Sequence, residues 1–284
     1  MRLLRALTRG SGWLGLAGGA LLLVLLLLAL FGPFLDLPDP TRTNLRARMQ
    51  APTLSWHGIG AFPLGTDQLG RDILSRIVAG SRVTLMVATA AVLLGGILGT
   101  LLGLVSGYFG GVLDRVLMRL VDIQLAIPLM LLALMVVAAL GPSLENLVMV
   151  LALVSWVRYA RIVRGQVLAV REREFVQSAR AIGAGWPRIL LRHILPNVLT
   201  PAVVVATLEL ARVIVLEAGL SFLGLGVQPP SPSWGRMLAE GRTYISSAWW
   251  IITFPGFALM LTVLSVNLLG DWLRDYLDPR LAVR

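Results

Sequence analysis

The chain has 284 residues, 57% of them hydrophobic and only 14% charged, and its 25 basic residues outnumber 15 acidic ones for a formal net charge of +10. A soluble domain carries nearly twice that charged fraction, so the composition describes a polytopic membrane protein. There is no cysteine, and every basic residue is arginine, which excludes a disulfide framework, a thiolate metal site and a phosphate-binding loop built on lysine. Such a chain is not itself a Walker-type ATPase.

Residues 12–35 form the first predicted span, nearly pure aliphatic from Leu21 to Leu30, with Arg2, Arg5 and Arg9 before it. A signal peptide also starts basic and continues apolar, but this run is too long, and Phe31-Gly32-Pro33 offers no small-x-small cleavage site. The expectation is an uncleaved anchor. Residues 36–82 are polar, rich in proline and turn formers, and expected outside. They carry the string Phe62-Pro63-Leu64-Gly65-Thr66-Asp67-Gln68-Leu69-Gly70-Arg71-Asp72 and then an amphipathic stretch, 73–80, which predicts a turn followed by a short interfacial helix.

The second span covers 83–108. Gly95, Gly99, Gly103 and Gly107 recur every four residues, a small-residue face for close packing either within the chain or against another subunit. Tyr108-Phe109-Gly110-Gly111 turns the chain into a third span. There Asp114, Arg115, Arg119 and Asp122 stand at helical spacing, which predicts neutralisation by local i, i+3 and i, i+4 pairs. Pro128 predicts a kink. A fourth span, 144–163, follows the Gly141-Pro142 turn, and Arg158, Arg161 and Arg164 mark its exit.

Residues 171–197, REREFVQSARAIGAGWPRILLRHILPN, are a polar, arginine-rich island between two apolar runs. Glu172 and Glu174 suit the positive end of a helix dipole. Phe175, Ala179 and Ile182 fall at i, i+4 and i+7, one apolar stripe. Gly183 follows where a left-handed cap is usual, and Pro187 is placed at the start of a second helix. The prediction is a helix over 172–182, a glycine break, and a short helix over 186–195. A waist of small residues (Ser178, Ala179, Ala184) with an arginine fringe suits docking into a groove on another protein; a solvated interfacial helix is the plainer alternative.

The fifth span, 198–220, holds Glu209, Arg212 and Glu217. Intramembrane ionisable residues face a bundle interior or an aqueous path. Glu209 and Arg212, three apart, are read as a structural ion pair; Glu217, without a charged neighbour at that spacing, is read as the pathway candidate. Residues 221–250 lie outside again, stiffened by Pro229, Pro230 and Pro232, with Trp249 and Trp250 as interface anchors. The sixth span, 251–270, ends in DWLRDYLDPR. With both termini inside, 16 arginines fall on cytoplasmic segments and eight outside, six of those in the long 42–82 region, as the positive-inside rule allows. The arginines thus follow membrane topology, and nucleic acid is not an expected partner.

Several of these strings resemble one family. Gln177-Ser178-Ala179, Gly183 and His193-Ile194-Leu195-Pro196 are similar to the E-A-A…G…I-x-L-P coupling loop of bacterial ABC importer permeases, departing from it at Gln177, Ser178 and His193. ARAIGA at 179–184 and RHILPN at 192–197 point to the dipeptide/oligopeptide/nickel branch and its second, C-type permease. The 62–72 string, MRLVDIQLAIP at 118–128 and SFLGLGVQPPSPSWG at 221–235 resemble the same branch, although Phe62 stands where histidine is usual. The resemblance implies an all-α integral membrane protein with six transmembrane helices and the type I ABC importer permease fold. It divides the chain into an anchor and external loop (1–80), a permease core (81–272) and a cytoplasmic tail (273–284). It further implies a bacterial inner-membrane location, a homologous second permease, two cytoplasmic ATPase subunits that bind ATP and Mg, and an extracytoplasmic substrate-binding protein. The chain itself would hold no catalytic residue, cofactor or metal. By the same resemblance Glu174, Phe175, Gln177, Ser178, Ala179, Arg180, Gly183, Ala184, Arg192, His193 and Pro196 form the ATPase-coupling surface. Peptides are the expected cargo, with nickel or another small solute as the alternative. A secondary transporter working without ATP is a further alternative; it would need an internal inverted repeat, and none is visible. A membrane-embedded enzyme would need clustered polar groups, and the two histidines, His57 and His193, are expected on opposite sides of the membrane.

Overall fold

The computed structural model describes residues 12–55, 58–59 and 62–277. Arg2, Arg5, Arg9, His57, Arg280 and Arg284, on which part of the topology argument rests, lie outside the described residues. The fold is helical: α1 Gly12–Phe31, α2 Ile73–Phe109, α3 Gly111–Ala126, α4 Leu129–Leu140, α5 Leu144–Arg171, α6 Glu174–Ala181, α7 Leu195–Phe222, α8 Trp234–Gly241 and α9 Trp250–Leu277. A two-residue hairpin, β1 Leu54–Ser55 and β2 Gly58–Ile59, is the one sheet among the described residues. Five helical stretches are long and apolar enough to cross a membrane, and six if the bent pair α3–α4 counts as one span.

The longest helices pack through missing side chains. On α2 the glycine face lies directly on α5: a Cβ at Gly99 would stand 2.2 Å from the Trp156 carbonyl oxygen, and one at Gly107 2.7 Å from Val167 Cβ. The stripe therefore serves packing within the chain. α1 uses the same device on α9, where a Cβ at Gly15 would meet Trp272 at 2.3 Å. Val87, Ala88 and Ala91 of α2, Leu147, Val150 and Leu151 of α5, and Val213 and Ile214 of α7 fill the common core.

Four expectations change. The amphipathic 73–80 stretch is not a separate interfacial helix; it is the first part of the 37-residue α2, capped by the Asp72 side chain accepting from Ser75 N at 2.8 Å. The third span is not merely kinked: α3 and α4 meet at 90°. Ile127, held extended (φ −87°, ψ 119°) as a residue before proline prefers, ends α3. At 1.5 Å per residue the 12-residue α4 is about 18 Å long, short of a bilayer core about 30 Å thick. The predicted second loop helix is also absent as a separate unit. A turn at Trp186–Arg188 passes through a π-helical turn, Ile189–Ile194, into α7, so that residues Trp186–Phe222 form one 37-residue rod. Finally, Trp250 is buried, its indole N–H donating to the Thr66 carbonyl at 3.1 Å; only Trp249 stays exposed.

Candidate functional site: the 171–197 elbow and the polar clusters

The elbow between α5 and α7 is built from its cap outward. Glu172 closes α5, and α6 starts two residues later than predicted, at Glu174. α6 ends in a Schellman arrangement: Ala184 N donates to Ala179 O at 3.0 Å and Gly183 N to Arg180 O at 2.9 Å, with Gly183 at φ +83°. Those two bonds satisfy carbonyls that the helix end leaves unpaired, and the left-handed residue costs nothing because it is glycine. A Cβ at Gly183 would find nothing within 4 Å, so conformation, and not space, demands the glycine.

The buried stripe differs from the predicted one. Val176 and Ala179 are buried, Val176 packed with Val163, Val167, Val170, Ile189 and Ile194, while Phe175 is exposed and Ile182 is 86% exposed. Helix α6 is only eight residues long, and its inward face is set by the i, i+3 pair nearest the valines of α5. Phe175 lies 6.3 Å from the His193 ring, centroid to centroid, and Arg180 sits over the Tyr108 ring at 5.4 Å. Arg171 donates to the Gly107 carbonyl at 2.8 Å, tying the elbow to the end of α2. Asn197 donates to the His193 carbonyl at 2.6 Å beside the π-helical turn. Glu174, Gln177, Ser178, Arg180, Arg192 and Pro196 face outward, and Ala184 and His193 are half-buried. The elbow thus presents Phe175, Ile182, Trp186 and Leu191 as exposed apolar side chains on a rigid buried base.

Charges pair across elements. Asp114 takes a bidentate contact from Arg164 (2.5 and 2.7 Å) and a bond from Ser106, and Asp122 takes Arg161 at 2.5 Å. The predicted local pairs within α3 do not form, because α3 lies against α5 and the guanidinium forks reach the carboxylates from there; Arg115 and Arg119 stay exposed. Glu209 does contact Arg212 (3.4 Å), but it also contacts Arg158 of α5 at 3.1 Å. Glu217 is fully buried, accepting from Ser221 Oγ at 2.7 Å and lying next to Thr84 and Ser233. Of the three intramembrane charges predicted in the fifth span, it is Arg212, not Glu217, that reaches the surface.

A further polar cluster stands at the opposite end of the bundle from the elbow. Asp67, 0% exposed, accepts from Arg71 Nε at 2.6 Å and from Arg76 Nη1 at 2.5 Å. Glu240 of α8 accepts from the same two arginines at 2.7 and 2.9 Å and from Arg236 at 3.1 Å. Burial raises the Glu240 carboxyl's pKa, but Arg76 and Arg71 outweigh it and hold the group below its ordinary value. The cluster bolts the 62–72 turn and the start of α2 to α8. The turn was visible in the sequence, whereas Glu240 lies 164 residues beyond Arg76 and nothing local announces it.

Residues 99–283 match the family of binding-protein-dependent transport system inner membrane components. The chain belongs to that family. Among curated relatives it is 44% identical over 268 residues to a di/tripeptide transport system permease protein of Pseudomonas aeruginosa, covering 94% of this chain and 88% of that one. It is 46% identical to a dipeptide transport system permease protein of Escherichia coli K12, covering 91% and 86%. A probable D,D-dipeptide transport system permease of the same organism is 40% identical over 94% of this chain and 88% of its own. The MetNI methionine ABC transporter, solved in inward-facing conformations, shares the fold, with a TM-score of 0.57 at 20% identity over 71% of this chain and 96% of that one. The inner-membrane permease is thus an ABC importer subunit of all-α, multi-span architecture, the fold class that the composition and the coupling-loop strings predict.

Proposed function

We propose that this permease forms half of the pore of an ATP-driven importer of di- and oligopeptides and transmits the ATPase cycle through its 171–197 elbow. The observation that carries the coupling role is the elbow itself: exposed Phe175, Ile182, Trp186 and Leu191 stand on a buried valine base, a surface that a cytoplasmic groove would cover. The peptide cargo is supported by the names of relatives at 44–46% identity over more than nine-tenths of the chain. In this reading both termini and the elbow are cytoplasmic. A homologous permease completes the pore, two ATPase subunits bind ATP and Mg, and an extracytoplasmic binding protein delivers the peptide.

ATP binding would close the ATPases and carry the elbow with them, tilting α5 and α7 between inward- and outward-open states. ATP has leverage only insofar as it binds one of those states more tightly. The test is copurification from detergent of tagged wild type and of Ala184→Asp, together with uptake of a labelled dipeptide. Wild type is expected to bring down the ATPases and the second permease and to support uptake. The variant is expected to keep the permease and lose the ATPases. A wild type that purifies alone and moves peptide in ATP-free vesicles would overturn the assignment.

A further inference from the structure

Arg158 and Glu209 are each the fifteenth residue of a 28-residue helix, α5 and α7. At 1.5 Å per residue each sits about 20 Å from the elbow-distant end of its helix, Leu144 or Phe222, inside a bilayer core about 30 Å thick but in the half nearer the elbow. There Glu209, 3% exposed at its side chain, gives one oxygen to Arg158 and the other to Arg212. The two arginine side chains are 52% and 35% exposed. One carboxylate faces two cations, so the cluster keeps a net positive charge, and most of its ten guanidinium N–H donors have no partner among the described residues. The next side chain along, Tyr159, is buried, and its hydroxyl has no partner among the described residues. A half-exposed arginine pair at this depth is not stable against lipid and belongs to a water-filled path or to a bound anion.

The open face continues along α7. Leu208 and Val215 are exposed, and Gly219 has nothing within 4 Å of an added Cβ. We infer that Arg158 and Arg212 form a transit seat for a carboxylate, namely the terminal carboxylate of a peptide crossing the pore. Two forked guanidiniums held by one shared anion present parallel donors that match a carboxylate's two oxygens. Glu209 positions them and keeps the site shallow, so that the ligand binds and leaves. This inference rests on the peptide-import reading. The same chemistry would also accept an acidic side chain of the second permease, and the experiment separates the two.

The chain has no cysteine, so Leu208→Cys, one turn before Arg212, places a single reporter thiol in it. In the assembled importer in detergent, that thiol is expected to react about ten-fold faster with an anionic thiosulfonate than with its cationic counterpart, as a nearby net positive charge dictates. Arg158→Gln with Arg212→Gln should abolish the preference. A millimolar dipeptide should slow labelling, and the same dipeptide as its C-terminal amide should not. No reaction with either reagent, no charge preference, or equal protection by acid and amide would overturn the seat. So would loss of the second permease from the complex in the double glutamine variant, which would assign the arginines to a partner carboxylate. Peptide uptake by wild-type vesicles is scored separately: its absence sinks the cargo assignment, whereas intact uptake with failed labelling sinks only the seat.

Discussion

Replacing Glu240 with glutamine tests the ion cluster that bolts the 62–72 turn to α8. The glutamine keeps the volume but removes the charge that accepts from Arg71, Arg76 and Arg236. Asp67 is then the one anion for two buried arginines, and Arg76, 2% exposed, has no route to water. Removing one member of a buried charge network typically costs 3–5 kcal/mol; with Glu240's side chain 15% exposed, the lower end applies, about 3 kcal/mol. At about 1.4 kcal/mol per decade that is roughly a hundred-fold loss of local protection. Hydrogen exchange of the complex in detergent should show it at the amides of Ile73–Ser81 and of α8, while the mid-helix amides of α5 stay unchanged. A loss under three-fold would refute the reasoning. So would strict additivity with Asp67→Asn, because two groups sharing Arg71 and Arg76 must couple.

The same cluster predicts a pH dependence. The Glu240 carboxyl lies below its usual 4.5 in the folded chain, so its stabilisation is complete above that value and is lost as pH falls through the depressed one; exchange at α8 should accelerate there in wild type and not in Glu240→Gln. Gly183→Val leaves space unviolated but forces φ +83° on a β-branched residue, at about 1–2 kcal/mol or more. The elbow should distort, abolishing uptake while the protein still accumulates in the membrane, and wild-type uptake would sink the lever. Gly99→Val should separate α2 from α5, because its Cβ would meet backbone at 2.2 Å. Membrane accumulation should fall at least ten-fold, and Gly111→Ala, with nothing within 4 Å, should accumulate better than Gly99→Val despite its positive φ.

Features encoded by nearest neighbours were legible in the sequence. The apolar runs located the spans. The residue after Ile182 had to be a left-handed cap, and the four-residue glycine period foretold helices in backbone contact. Features set by elements meeting across the bundle were not. Asp114 and Asp122 had plausible partners within α3, yet the partners chosen were Arg164 and Arg161, because the helix laid alongside brings its guanidiniums within reach of both carboxylates, bidentately at Asp114. Phe175 and Val176 are equally apolar, and only the direction of α5 decides which one is covered. Trp250 reads as an interface anchor until Thr66, 184 residues earlier, is brought beneath it. Likewise Pro128 promised a bend, but its 90° size follows from Ile127 being forced extended.

The rod Trp186–Phe222 places the tip of the elbow and Arg212 on one uninterrupted helix. Its 37 residues span about 55 Å at 1.5 Å each, and a hydrogen-bonded helix neither stretches nor shortens without breaking its ladder. A push on Trp186 must therefore emerge within the membrane as translation or rotation of the Arg212 guanidinium, except for what the π-helical turn at Ile189–Ile194 and the missing ladder bond at Pro201 take up. That turn is a soft joint in the shaft: tightening it to α-helical register would shift the angular phase of everything beyond it, turning the arginine toward or away from Arg158.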